Sequence, residues 1–206
     1  MSKERNINTL LLDGGCHSLN FINTIHSRTE EQAFDYLKSY YDLLDWCSKV
    51  RLLPNGRINR LKNAVQKNET KAESILKQIK GKREVLHQVF SSLINKKKID
   101  STAEDEFNES LSNALSNLAF KFEKGKINLG WQENGIDLFE PIWIIFKDAF
   151  DILNSIQLNR IKECRSCGWL FLDKSKNNSR AWCNMQTCGS IDKSKRYYRK
   201  KKKNIL

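Results

Sequence analysis

Four cysteines near the end of the chain have the spacing of a metal site. Two residues separate Cys164 from Cys167, four separate Cys183 from Cys188, and fifteen lie between the pairs. A tetrahedral zinc ion takes four thiolates delivered as two short loops. Sites made only of cysteine are usually closed and leave no position for a reacting water, so the spacing predicts a structural ion rather than a catalytic one. Between the pairs, Gly168 eases a tight turn and Trp169 to Leu172 reads as a short strand. Asp173 to Ser179 reads as a polar loop, with Asn177-Asn178 as its turn. Arg180, Ala181 and Trp182 lead back to the metal, and Trp169 and Trp182 are expected to cover it.

The segment after Cys188 is cationic. From Arg160 onward there are 14 basic and 3 acidic residues, a net of +11, against 22 and 21 in the remainder and +12 for the whole chain. Local positive charge of this kind fits phosphate, because each neutralised phosphate releases a counterion. Gly189 to Lys200 reads as a helix with Ser190 at its N-cap. Lys193, Arg196 and Lys200 share one face, and Lys195 and Arg199 an adjoining one. With Arg180 these are the candidate nucleic-acid contacts, and Tyr197 and Tyr198 can dock on the knob or touch sugar. An anchored basic helix suits a DNA major groove. Zinc knobs with basic tails also serve RNA.

These residues need a scaffold, and the first part reads as mostly helix. Leu19, Phe21, Ile22 and Ile25 form a short helical pattern. Thr29-x-x-Gln32 reads as a capping box for a helix with Phe34, Leu37, Tyr40, Tyr41, Leu44 and Cys47 on one stripe, ended by Pro54-Asn55-Gly56. Thr70-x-x-Glu73 opens a long helix that Gly81 is expected to bend, and Ser101-x-x-Glu104 opens another. The period then shifts to two. Phe120 and Phe122, then Ile127, Leu129 and Trp131, then Ile136 and Leu138 after Asn134-Gly135, predict a small antiparallel β meander. Pro141 opens a helix expected to run to about Ile161. The expected fold class is mainly α with this meander and a C-terminal four-cysteine zinc finger bearing a basic helix. Residues 1–159 form the first domain and 160–206 the second, the latter too small to hold a core without its metal.

No secretory signal and no apolar run of membrane-spanning length is seen, so the expectation is a cytoplasmic protein whose clustered thiols bind metal rather than form disulfides. Cys47 fits a buried apolar position. Cys16-His17 could be read as a thiol–imidazole pair, but adjacent side chains usually point apart, and His17, His26 and His87 compose no catalytic set. The expectation is therefore no enzyme.

The stretch Cys164-x2-Cys167-Gly-Trp-Leu-Phe-Leu-Asp173, continued by Ser179-Arg180-x-Trp182-Cys183-x-Met185-x2-Cys188-Gly189, resembles the CGNR zinc finger. Gly14-Gly15, Leu19-Asn20-Phe21-x-Asn23-Thr24 and Leu44-Asp45-Trp46 resemble the ABATE domain that precedes this finger in bacterial stress-induced transcription regulators. The resemblance implies a zinc-dependent, DNA-binding regulator with a sensory or dimerising N-terminal domain, as a homodimer or under a small-molecule effector. Two positions depart from the pattern. Ser190-Ile191 stands where the family has Asn-Arg, and Asn20 where it usually has aspartate. Asn20, Asn23 and Thr24 fall on one side of their helix and are candidates to line an effector pocket, walled by Trp46 and Trp143.

Overall fold

The computed structural model describes residues 4–132 and 135–203, with the side chains of residues 123, 199, 200, 202 and 203 left aside. The chain runs through α1 (His17–Ile22), α2 (Tyr40–Lys49), α3 (Asn55–Lys67), α4 (Glu69–Ile94) and α5 (Ser101–Ser116). The hairpin β1 (Leu118–Glu123) and β2 (Lys126–Trp131) comes next, then α6 (Glu140–Leu153), β3 (Ile161–Glu163), β4 (Leu170–Leu172) and α7 (Ser190–Lys203). Helices α1, α4, α5 and α6 pack on one another, and α2 and α3 cover α4. The fold is mainly helical, with two small antiparallel hairpins.

Several boundaries differ from the sequence expectation, each for an identifiable reason. Thr29 opens no helix. The segment after α1 folds back instead, with a bridge between Ile25 and Asp35. Buried Arg83 of α4 holds the Asp35 carboxylate with both terminal nitrogens, at 3.0 and 2.9 Å. That pairing pins residues 34–36 in extended form, and α2 starts only at the Ser39/Asp42 capping box. Pro54 ends nothing; it precedes α3, which the expectation left out. Asn68 rather than Thr70 caps α4, Asp100 rather than Ser101 caps α5, and Gly81 does not interrupt the 26-residue α4. Only two strands of the meander form. Ile136 to Leu138 is not strand, and Asn134 lies outside the described residues. Helix α6 stops at Leu153, where Asn154 and Ser155 start a 3₁₀ turn over Ile156–Arg160, so a strand rather than a helix enters Cys164.

The finger is not a separate knob. Strands β3 and β4 lie on α1 and α4, and Trp169, Leu170, Phe171 and Leu172 belong to the same apolar core as Phe21, Trp46 and Phe90. Hydrogen bonds stitch the seam. Leu172 N donates to Gly14 O at 2.9 Å, Arg28 N to Cys167 O at 2.7 Å, and the Trp169 indole to Ile25 O at 2.7 Å.

Candidate metal centre and nucleic-acid interface

Each cysteine pair sits in a turn shaped by its own backbone. Strands β3 and β4 pair as Ile161↔Leu172, Lys162↔Phe171 and Glu163↔Leu170, which brings Cys164 and Cys167 into the connecting loop. Cys164 N donates to Trp169 O at 2.8 Å, and Gly168 N to Cys164 O at 2.9 Å. Gly168 has φ +72°, and a Cβ there would stand 2.7 Å from the Arg28 Cβ, so both conformation and space demand glycine. The second pair is framed by a π-helical turn over Met185–Gly189. Asn184 caps it, its side chain accepting from Gln186 N and Thr187 N. Helix α7 continues directly from this turn, so Asn184, not Ser190, is the cap.

A buried carboxylate organises the loop between the pairs. Asp173 accepts from Ser175 N at 2.9 Å, Arg180 N at 2.8 Å and Lys162 Nζ at 2.9 Å. Burial would raise its pKa, but these hydrogen bonds hold it well below the usual carboxylate range. Arg180 thereby turns inward. Its guanidinium donates to Cys183 O and lies 5.2 Å from the Phe171 ring centre.

The four sulfurs all lie within 4.8 Å of one another, with Cys167 to Cys183 and Cys183 to Cys188 both at 3.7 Å. A tetrahedron with zinc–sulfur bonds of about 2.3 Å has edges of about 3.8 Å, close to the two 3.7 Å separations, so the four cysteines could hold such an ion. Hydrogen bonds from Cys167, Cys183 and Cys188 push the Cys164 thiol down, while contact with the other sulfurs pushes Cys183 up. Four thiolates this close need a cation to coexist.

The basic helix roots in the metal turn, against which α7 packs. Lys193, Lys195 and Arg196 are exposed. Arg196 pairs with Asp192 at 3.0 Å and stands 5.8 Å from the Trp182 ring centre. Arg199 and Lys200 continue α7 in backbone, and their side chains lie outside the described set. Tyr197 and Tyr198 are exposed and meet edge to face at 5.7 Å.

The four residues expected to line a pocket are spent on the protein itself. Asn20 Oδ1 accepts from Gly14 N at 2.9 Å, a bond that needs only an acceptor. Asn23 is buried. Its Nδ2 donates to Leu170 O at 2.8 Å and its Oδ1 accepts from Leu170 N at 3.1 Å, so one amide splices α1 to β4. Thr24 Oγ1 donates to Phe21 O and accepts from Arg83. Trp46 is fully buried against Phe21, and Trp143 borders a different, polar groove with Lys82 and Ser110. A larger cleft of about 620 Å³ opens between the two halves. Asp13, His26, Glu30 and Tyr36 line one wall, and Cys167, Cys188, Ile191 and Lys195 the other. The sequence reading gave Asp173 no role beyond opening a loop, and it missed Asn184 and this cleft; Asn184, an Asx residue shortly before a helix, carries a local signal.

Cys16 forms no imidazole pair. Its thiol contacts Ser18 Oγ at 3.4 Å, and burial together with the Asp148 charge pushes it up to about 12, which makes it a poor nucleophile. Among the described residues no helix is long and apolar enough to cross a membrane.

Fold and site together define a helical domain fused through its core to a four-cysteine, zinc-finger-type module. The chain belongs to the ABATE family, described as "Putative stress-induced transcription regulator", whose model matches residues 17–155. A CGNR zinc finger model matches residues 160–201. No curated protein matches the chain. Family and cysteine cluster point together to a metal-binding regulator.

Proposed function

We propose that the protein is a zinc-dependent, DNA-binding transcription regulator, with Zn²⁺ held by Cys164, Cys167, Cys183 and Cys188. The observation that carries this is α7: an exposed basic helix rooted directly in the cysteine turn, on a chain whose first 159 residues are nearly neutral. Lys193, Lys195 and Arg196 supply phosphate contacts, and Arg199 and Lys200 extend the same charge. Arg180 acts indirectly, by bracing the Cys183 carbonyl. Bound zinc locks the second knuckle and so fixes the direction in which α7 leaves the body.

The exposed Tyr197–Tyr198 pair favours a second reading, RNA binding, since splayed bases stack on aromatic rings. A salt titration of binding to duplex DNA and to single-stranded RNA of equal length separates the two. The DNA reading expects tighter duplex binding with a steep salt slope. Replacing Lys193, Lys195 and Arg196 by alanine is expected to lower that slope by about 2–3, close to one for each phosphate no longer neutralised. Unchanged affinity at moderate salt would defeat the assignment to α7.

For the N-terminal half, the interdomain cleft is the better place for a small effector than Asn20, Asn23, Thr24 and Trp46. Lys195 stands on both its wall and the basic helix, so an occupant would change the charge offered to DNA.

A further inference from the structure

The β1–β2 hairpin has one face made wholly of apolar side chains. Directly paired residues of an antiparallel ladder point to the same side. The register pairs Leu118 with Trp131, Phe120 with Leu129 and Phe122 with Ile127. At the base, Leu118 and Trp131 are half-buried, and Trp131 packs on the core. Toward the tip the same face stands in water. Phe120 is 61 % exposed, Phe122 73 %, Ile127 65 % and Leu129 50 %. The opposite face carries Lys121 and Asn128, also exposed. The arm joins the body through α5 alone among its stronger contacts. A lone two-stranded hairpin is marginal in water, so this one needs a cover.

We infer that a second copy of this chain provides it, two arms packing face to face about a two-fold axis. Three observations select that occupant. The face carries no cation, which removes nucleic acid. Its four exposed side chains offer about 500 Å² per copy, given the 150–250 Å² that an aromatic side chain covers. Two copies then bury about 1,000 Å², the size at which specific interfaces begin. Charge bears on the orientation: each finger carries +11 and repels its counterpart, and the arm's stronger contact is with α5 while the finger strands contact α1 and α4. The same apolar patch meeting itself on a second copy closes as an isologous dimer. The two α7 helices are then presented as a symmetric pair, the arrangement that two half-sites on a duplex require.

Sedimentation equilibrium of the zinc-loaded full chain decides the matter without nucleic acid, so its outcome is independent of the DNA reading. At about 50 µM, well above the micromolar range of interfaces this size, the mass of two chains is expected. Phe122→Glu places a carboxylate in the apolar contact and should raise the dimer dissociation constant at least about 100-fold. Asn128→Lys, on the opposite face, should leave it unchanged. A monomeric wild-type chain overturns the proposal, whether the arm then binds vesicles or another protein. So does a Phe122→Glu dimer as tight as wild type, or an Asn128→Lys chain that dissociates while Phe122→Glu does not.

Discussion

Replacing Asn23 by alanine tests whether the two halves are one cooperative unit. The Asn23 amide satisfies both the N–H and the C=O of Leu170, at 3.1 and 2.8 Å, and Leu170 has no exposed surface. Alanine reaches neither group. Each buried backbone group left without a partner costs about 1–3 kcal/mol, so the pair, after some relaxation, should cost about 2–4 kcal/mol. For a chain of this size that corresponds to a fall in Tm of about 5–15 °C. Circular dichroism at zinc saturation measures the fall. Hydrogen exchange at the Leu170 amide locates it, because opening of β4 from α1 should speed exchange there before the rest of the core responds. A Tm within about 2 °C of wild type, with the Leu170 amide still protected, would refute the splice and leave the packing of Leu170 and Phe171 as the whole seam.

Asn20→Asp should be nearly neutral, within about 1 kcal/mol by urea unfolding, because the Gly14 N–H needs only an acceptor. Gly168→Ala forces an alanine to φ +72° and its Cβ onto Arg28; a loss of at least about 2 kcal/mol and faster zinc release to a chelator are expected. Burial, then the Arg28 charge, pushes the His87 imidazole down to about 4. The unfolded chain takes up this proton near pH 6.5 and the folded chain does not, so stability should fall between pH 6.5 and 4 by at most about 3 kcal/mol. His87→Gln should remove that part of the slope. Cys183→Ser breaks a sulfur that lies 3.7 Å from two others; elemental analysis should show zinc fall from about one per chain, and near-ultraviolet circular dichroism should show Trp169 and Trp182 lose their fixed environment.

The parts legible in advance were those whose signal is local. Cysteine spacing, the β1–β2 alternation about Gly125 and the apolar stripes of α2, α4 and α6 all depend on neighbours a few residues apart. The parts that were not legible share a cause. Asp35 stays out of a helix because of Arg83, 48 positions away. Asn23 bonds the backbone of Leu170 across 147 positions. Trp169 turns toward Ile25 rather than simply roofing the metal. Arg180 counts toward the basic charge but spends its guanidinium on Cys183 and Phe171.

The amino-acid sequence by itself determined the paired spacing of the four cysteines, the placement of nearly all net charge at one end and the helical class, because spacing, charge and periodicity are properties of short segments. Only the tertiary structure decided that the finger shares the core of the helical half, that an interdomain cleft borders the clustered cysteines, and that one hairpin face lies bare. Those features depend on which surfaces meet after the chain has turned back on itself. A buried amide and a pocket-lining amide look alike in sequence. The difference between them is the backbone group that long-range packing brings to hydrogen-bonding distance, and here that group belongs to β4.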